Sequence, residues 1–345
     1  MVTGRPAGPP GPPPRRPRPG ADRPARALEH RLSQPTYDDV KAAAERIAGL
    51  TRTALVLPAD PGGVGGAEVF LALDFIQHSG SFKDRGAANF VAAHLADGSM
   101  PAAGVVIASG GNAGLACAWA AKAQGVPATV FLPATAPPVK IRKLRGYGAD
   151  VRLTGSEYAD ALEAARLFAA ESGALASHAY DDPYIAAGAG TLLPEILAAA
   201  PGLDTVVVAV GGGGLFTGLA VAAAEHGVRV VAVEPAGSRA LHAAVAAGRP
   251  VDVPVDSVAA DSLGARRVSE TALHWAGRVR ARSVLVEDAA IVAARRGLWD
   301  GHRLAVEHGG ATALAALRSE AYRPERGERV AVVLCGANTD PATLA

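Results

Sequence analysis

From Val69 onward, short runs rich in Val, Ile and Leu alternate with longer, Ala-rich stretches. The runs fall at 69–73, 104–108, 128–132, 150–153, 205–210, 229–233 and 330–334. Most of them are continuously apolar. That predicts strands buried on both faces, with the Ala-rich stretches as the helices that cover them. The alternation is that of an α/β protein with mostly parallel sheets, in which ligands collect beyond the carboxyl ends of the strands. Ahead of the first run, Thr36 is placed to cap a helix through Asp38, Asp39 and Val40 to Ile47, with acids in its first turn and Gly49 to end it.

Three segments that follow strands carry possible chemistry. The first is Ser81-Phe82-Lys83-Asp84-Arg85-Gly86. Lys83 is one of five lysines in 345 residues, against 34 basic residues in all. An amine can lose its proton and condense with a carbonyl, which a guanidinium cannot do. The second is Gly211-Gly212-Gly213-Gly214 before Leu215, where consecutive backbone amides at a helix start can converge on a phosphate. The third is Ser109-Gly110-Gly111-Asn112-Ala113-Gly114, a turn that can offer N–H groups, a hydroxyl and a carboxamide to an anion.

Each segment taken alone has a second reading. Lys83 also fits a solvated turn. The tetraglycine, with Glu234 ending the next strand about twenty residues on, also fits a dinucleotide-binding turn, although Phe216 stands where that fingerprint needs its third glycine. Ser109 or Asn112 also fits an ordinary helix cap.

Composition narrows the classes. A chain with 49% hydrophobic residues and formal net charge +1 can bury a large core, and gives no electrostatic reason to bind nucleic acid. Cys117 and Cys335 imply no disulfide framework and a reducing compartment. No stretch reads as a secretory signal or a membrane span, so a cytoplasmic location is expected. The first 27 residues hold nine prolines, six arginines and the single acid Asp22. They predict a disordered, partly polyproline-II tail, taken as residues 1–35.

With these segments in this order, and Leu334-Cys335-Gly336-Ala337-Asn338 near the end, the chain resembles the fold-type II pyridoxal-phosphate enzymes of the tryptophan synthase beta-like fold. It is most similar to the L-serine/L-threonine dehydratases, or ammonia-lyases. The resemblance runs from about Thr36 to Asn338. It includes Gln77–Lys83, Asp181-Asp182-Pro183, Gly188-Ala189-Gly190-Thr191, Val233-Glu234-Pro235, Glu287–Val292 and Glu307-His308-Gly309-Gly310-Ala311.

The resemblance implies two domains with mostly parallel, helix-covered sheets. A large cofactor domain is expected from 36–85 plus 187–345, a small one from 86–186, and no C-terminal regulatory domain. It implies pyridoxal 5'-phosphate joined to Lys83, with Phe82 against the pyridine ring and Gly211, Gly212, Gly213 and Gly214 on the phosphate. Ser109, Gly111, Asn112 and Ala113 are then expected at the substrate carboxylate, with Asn112 also near the cofactor's phenolic oxygen. Cys335 is expected at the pyridine nitrogen, where a neutral thiol makes the ring a poorer electron sink than a carboxylate would.

The implied reaction is elimination of the β-hydroxyl from L-threonine or L-serine, giving a 2-oxo acid and ammonia. Racemases in the family carry a serine at the place of Gly110, so little racemase activity is expected. Asp84 is equally usual in threonine synthases, which act on a phosphorylated amino acid. Those need a basic subsite, for which Arg142, Lys143 and Arg145 are the only candidates. Glu234 aligns with a family cation ligand beside the Ser238 carbonyl, and because Ala240 offers no oxygen, a monovalent ion such as K⁺ is expected rather than a divalent one. The partners expected are a small amino acid and a second copy of the chain, with no nucleic acid and no membrane.

Overall fold

A computed structural model describes residues 1, 4, 34–59 and 65–344. The expected tail lies almost wholly outside the described residues. Gln34–Ala345 behaves as one unit by its internal contacts, and it contains two sheets.

The six-stranded sheet has the order β1-β2-β10-β7-β8-β9 and the four-stranded sheet β5-β4-β3-β6. In chain order the strands are β1 Leu55–Pro58, β2 Glu68–Leu73, β3 Val105–Ala108, β4 Ala128–Leu132, β5 Asp150–Leu153, β6 Leu175–Ala176, β7 Thr205–Ala209, β8 Arg229–Pro235, β9 Arg282–Val286 and β10 Arg329–Leu334. All neighbours are parallel except β1, which runs antiparallel to β2 along the edge.

The seven expected strands are present, two of them with the expected bounds and the others with an end moved by one or two residues. The three additional strands are β1, β6 and β9. β1 and β9 lie at sheet edges; β1 is an apolar run of only four residues ending on Pro58, β9 opens on the polar pair Arg282-Ser283, and β6 has only two residues. The leading helix, Tyr37–Ile47, starts as expected. The Thr36 hydroxyl accepts from the Asp39 N–H, and the Asp39 carboxylate accepts from the Thr36 N–H at 2.8 Å.

Strand order positions the site. β2 and β10 are adjacent, with Glu68 opposite Arg329, and β7 lies on the other side of β10. Segments far apart in sequence therefore leave the carboxyl ends of three neighbouring strands: the Lys83 turn after β2, Cys335 after β10 and the glycines after β7. The Ser109–Asn112 turn leaves β3 of the other sheet.

Gly86 and Gly188 let the helices Lys83–Ala96 and Pro183–Gly190 touch backbone to backbone, and a Cβ on Gly86 would come within 2.7 Å of the Ile185 carbonyl. The fully buried Arg85 holds the same region. Its guanidinium donates to both oxygens of Asp74 at 2.9 Å and to Glu195 at 2.7 Å, and it also reaches Thr191 and the Arg52 carbonyl. Removing one partner of such a buried pair costs roughly 3–5 kcal/mol, so the network ties the lysine helix firmly to the large sheet. We propose 86–186 and the flanking 36–85 with 187–345 as two lobes within this one unit.

Candidate active site

Lys83 opens the helix Lys83–Ala96, with Phe82 at the capping position and no side chain capping the helix end. The turn before it is stitched to the segment after β10. The Phe82 N–H donates to the Cys335 carbonyl, the Ala337 N–H donates to the Gly80 carbonyl, both at 2.9 Å, and Ser81 bridges Gly336. Gly80 has φ +87°, a left-handed conformation that glycine adopts without strain.

The lysine itself is half-buried. Nζ donates to the Ala179 carbonyl at 2.9 Å and sits 4.8 Å from the centre of the Phe82 ring. Burial pushes its pKa down to about 8, partly opposed by Cys335 and Glu307 nearby. Roughly a tenth of this amine is therefore uncharged near neutral pH, far more than of an ordinary lysine, and the neutral form is the one that nucleophilic or basic use requires.

The four glycines make a turn that excludes side chains. Gly213 has φ +102° and starts the helix Gly214–His226, which no side chain caps. A Cβ on Gly212 would run into the Tyr180 ring, one on Gly213 into Ala272, and one on Gly211 would lie 3.1 Å from Leu263. One turn into the helix, the buried Thr217 hydroxyl has no hydrogen-bond partner among the described residues. Backbone amides at an uncapped helix start, beside an orphan hydroxyl, suit a phosphate. The residues present fit the implied cofactor: a deprotonatable lysine, a side-chain-free anion turn and a buried thiol.

In the third turn Gly111 takes the capping position of the helix Asn112–Ala123, and no side chain caps it. The Ser109 hydroxyl accepts from the Gly111 N–H at 3.3 Å. A Cβ on Gly114 would collide with the Ser109 carbonyl, so this residue must be glycine for the turn to close. Asn112 is engaged at both ends of its carboxamide. Nδ2 donates to Glu307 at 2.7 Å, and Oδ1 accepts from Asn338 Nδ2 at 2.8 Å. Cys335 is buried, its thiol pushed up to about 12 by desolvation and by Glu307, and thus neutral.

Sequence reasoning gave Glu307, Asn338, Tyr180 and Ala179 no role. The first two lay inside quoted motifs, but only the fold shows that both touch Asn112. Burial raises the pKa of the Glu307 carboxyl, while Asn112 and Ser262 hydrogen bonds oppose the shift.

Two other sequence candidates make hydrogen bonds of their own. Both oxygens of Glu234 accept backbone N–H groups, from Leu241 and His242 at 2.7 Å, so this acid caps the helix Ala240–Ala247. The Ser238 hydroxyl donates to the Leu263 carbonyl at 2.9 Å. Among the described residues no three His, Cys, Asp or Glu side chains are grouped to hold a metal. Arg142, Lys143 and Arg145 lie exposed on the helix Pro138–Gly146. No described helix is long and apolar enough to cross a membrane.

A half-buried lysine of lowered pKa, a side-chain-free glycine turn and a neutral thiol at adjacent strand ends of a two-sheet α/β fold are the elements that a lysine-dependent cofactor enzyme requires. The sequence profile of the family described as "Pyridoxal-phosphate dependent enzyme" matches residues 48–336, and the chain belongs to that family, whose members use pyridoxal phosphate.

Among curated relatives, an L-threonine ammonia-lyase of Geobacter sulfurreducens is 36% identical over 282 residues, covering 81% of this chain and 69% of that protein. A human serine dehydratase-like protein is 36% identical over 289 residues, covering 80% and 86%. Among solved structures, maize serine racemase superposes with a TM-score of 0.83 at 28% identity, over 90% of this chain and 96% of that one.

Proposed function

We propose that this protein eliminates the β-hydroxyl of L-threonine or L-serine, releasing ammonia and a 2-oxo acid. The observation that carries the reading is a half-buried Lys83, its Nζ on the Ala179 carbonyl and its pKa lowered to about 8, close to the neutral thiol of Cys335. Ammonia-lyase and dehydratase relatives support it.

The chain's own groups divide the work. The uncapped turn at Ser109–Ala113 holds the substrate carboxylate through N–H groups and the Ser109 hydroxyl, and several such charge-assisted bonds replace an arginine clamp. Gly211 to Gly214 hold the cofactor phosphate on backbone amides. Lys83, once free and uncharged, is the base for the Cα proton. When bound, pyridoxal phosphate supplies the electron sink that weakens the bonds at Cα. Cys335 offers that sink a neutral neighbour, which favours loss of a β-leaving group over a long-lived carbanion.

A small apolar cavity beside Lys83, lined by Gly86, Ala87, Ala113, Ala116 and Ala179, has room for about one water-sized group. Racemization is a second reading because serine racemases are among the relatives. Gly110 argues against it, since it has no group to exchange a proton on the opposite face. The exposed Arg142, Lys143 and Arg145 offer no enclosed subsite for a substrate phosphate.

The test is ammonia and 2-oxo acid release from both L-amino acids by the cofactor-loaded protein, with chiral analysis of the remaining substrate. Turnover of either amino acid that is lost in Lys83→Ala supports the reading. A loaded protein that leaves both unchanged, or forms D-serine as fast as pyruvate, overturns it.

A further inference from the structure

Asn338 lies where three chain segments meet. Its Nδ2 donates at 2.8 Å to the Ser79 carbonyl, in the turn that leads to Lys83. The same nitrogen donates at 2.8 Å to Asn112 Oδ1, on the turn after β3. Asn338 itself follows Cys335 by three residues, on the segment stitched to Gly80 through Ala337. A Cβ on Gly80 would come within 3.0 Å of the Asn338 side chain, so glycine at 80 makes room for this contact.

Chemistry then sets the direction of every bond in the chain. The Ser79 carbonyl can only accept, so the group facing it must be the NH2 of Asn338. An NH2 has two hydrogens, and the second meets Asn112, which must therefore present its oxygen. The Asn112 NH2 is left facing Glu307, to which it donates at 2.7 Å, with its other hydrogen unspent. Without Asn338 nothing distinguishes the two ends of the Asn112 carboxamide except Glu307. A turned amide would place oxygen against carboxylate oxygen.

We propose that Asn338 is a positioning residue that fixes the polarity of the Asn112 carboxamide, so that its free N–H faces the reactive site. The inference rests on the pyridoxal-phosphate reading of the site and deepens it. It also explains why the segment after β10 extends beyond Cys335 in contact with the Lys83 turn: one residue couples the lysine segment, the thiol segment and the substrate turn. Removing it uncouples the orientation of Asn112 from the large sheet.

The decisive variant is Asn338→Asp, which keeps size and shape but replaces both donors with acceptors. The holoenzyme of this variant is compared with the wild type by visible absorption, by its pH dependence and by kcat and KM. We expect a displaced absorption maximum and a fall in kcat/KM of about tenfold or more, with partial recovery at low pH as the aspartic acid regains one donor. The unfolding midpoint of the apoprotein reports any purely structural effect. An unchanged spectrum with unchanged kinetics overturns the proposal, as does a loss that follows the unfolding midpoint alone.

If Asn338→Asp does not fold, an experimental structure of the wild-type holoenzyme decides: the proposal requires Asn338 between Ser79 and Asn112, and an Asn112 carboxamide turned away from it refutes the assignment. Wild-type protein that binds the cofactor yet converts no hydroxy amino acid would count against the proposed reaction, while the spectral comparison would still test Asn338.

Discussion

Lys83 Nζ donates to the Ala179 carbonyl at 2.9 Å, joining the start of one helix to the segment just beyond β6. A carbonyl satisfies the amine's geometry without a compensating negative charge, and among the described residues no carboxylate forms an ion pair with it. Burial therefore governs its titration. Capture of pyridoxal phosphate by the apoprotein requires the neutral amine, so its rate should rise through a midpoint near the pKa of about 8 and level off above it. An ordinary lysine would place that rise near 10.5.

The same shift has a stability sign. Between those values the unfolded lysine still holds a proton that the folded one has shed, so this group's contribution to apoprotein stability grows as pH rises. Lys83→Met should flatten that part of the stability profile and abolish capture. Stopped-flow absorbance and unfolding across pH 6–11 measure both, and a capture midpoint near that of a free lysine would contradict the burial argument.

Gly212 packs against the Tyr180 ring so closely that a methyl cannot be added without displacement. Gly212→Ala should destabilise the protein by about 1–3 kcal/mol through overpacking. It should also loosen the turn that holds the phosphate. The two effects separate by ligand: affinity for pyridoxal phosphate should fall, while affinity for pyridoxal, which lacks the phosphate, should change little. Equal losses for both ligands would show that the turn does not serve the phosphate.

Much of this site was legible before the fold was known, because its parts are local. The glycine turn, the lysine motif and the Ser109–Gly114 turn are each contiguous, and each follows an apolar run long enough to read as a strand. What pattern could not show is the pairing of residues distant in sequence. Asn112 with Glu307, Asn338 with Ser79, and Lys83 with Ala179 depend on β10 lying between β2 and β7 and on the approach of two sheets. Pattern also missed β1, which is only four residues long and ends on Pro58, and β9, whose first two residues, Arg282 and Ser283, are polar.

The Cys335 thiol, pushed up to about 12, stays neutral throughout the physiological range. Cys335→Ser substitutes another neutral group of similar size, and elimination should survive within about tenfold, a change of at most about 1.4 kcal/mol in the barrier. Cys335→Asp puts a carboxylate into a buried place already under the influence of Glu307. It should lower the unfolding midpoint and depress elimination well below the serine variant. Steady-state rates and thermal unfolding of the two variants check the contrast, and an aspartate variant as active as the serine one would remove the thiol's neutrality from the mechanism.

Gly110 is where the difference between elimination and racemization can be tested with one hydroxymethyl group. A Cβ there would lie 2.9 Å from Leu132 Cδ2 and 3.7 Å from the Lys140 side chain, both of them ends of flexible groups rather than backbone. Gly110→Ser should therefore fold with a small loss of stability. The new hydroxyl stands on the Ser109–Asn112 turn and can exchange a proton where glycine cannot. D-serine formation from L-serine should become measurable, while pyruvate formation persists because Lys83 and Cys335 are untouched. Chiral chromatography of the reaction mixture, run beside Gly110→Ala as a packing control, checks this. Equal D-serine from the alanine and serine variants would mean that racemization is limited by something other than a missing acid at residue 110.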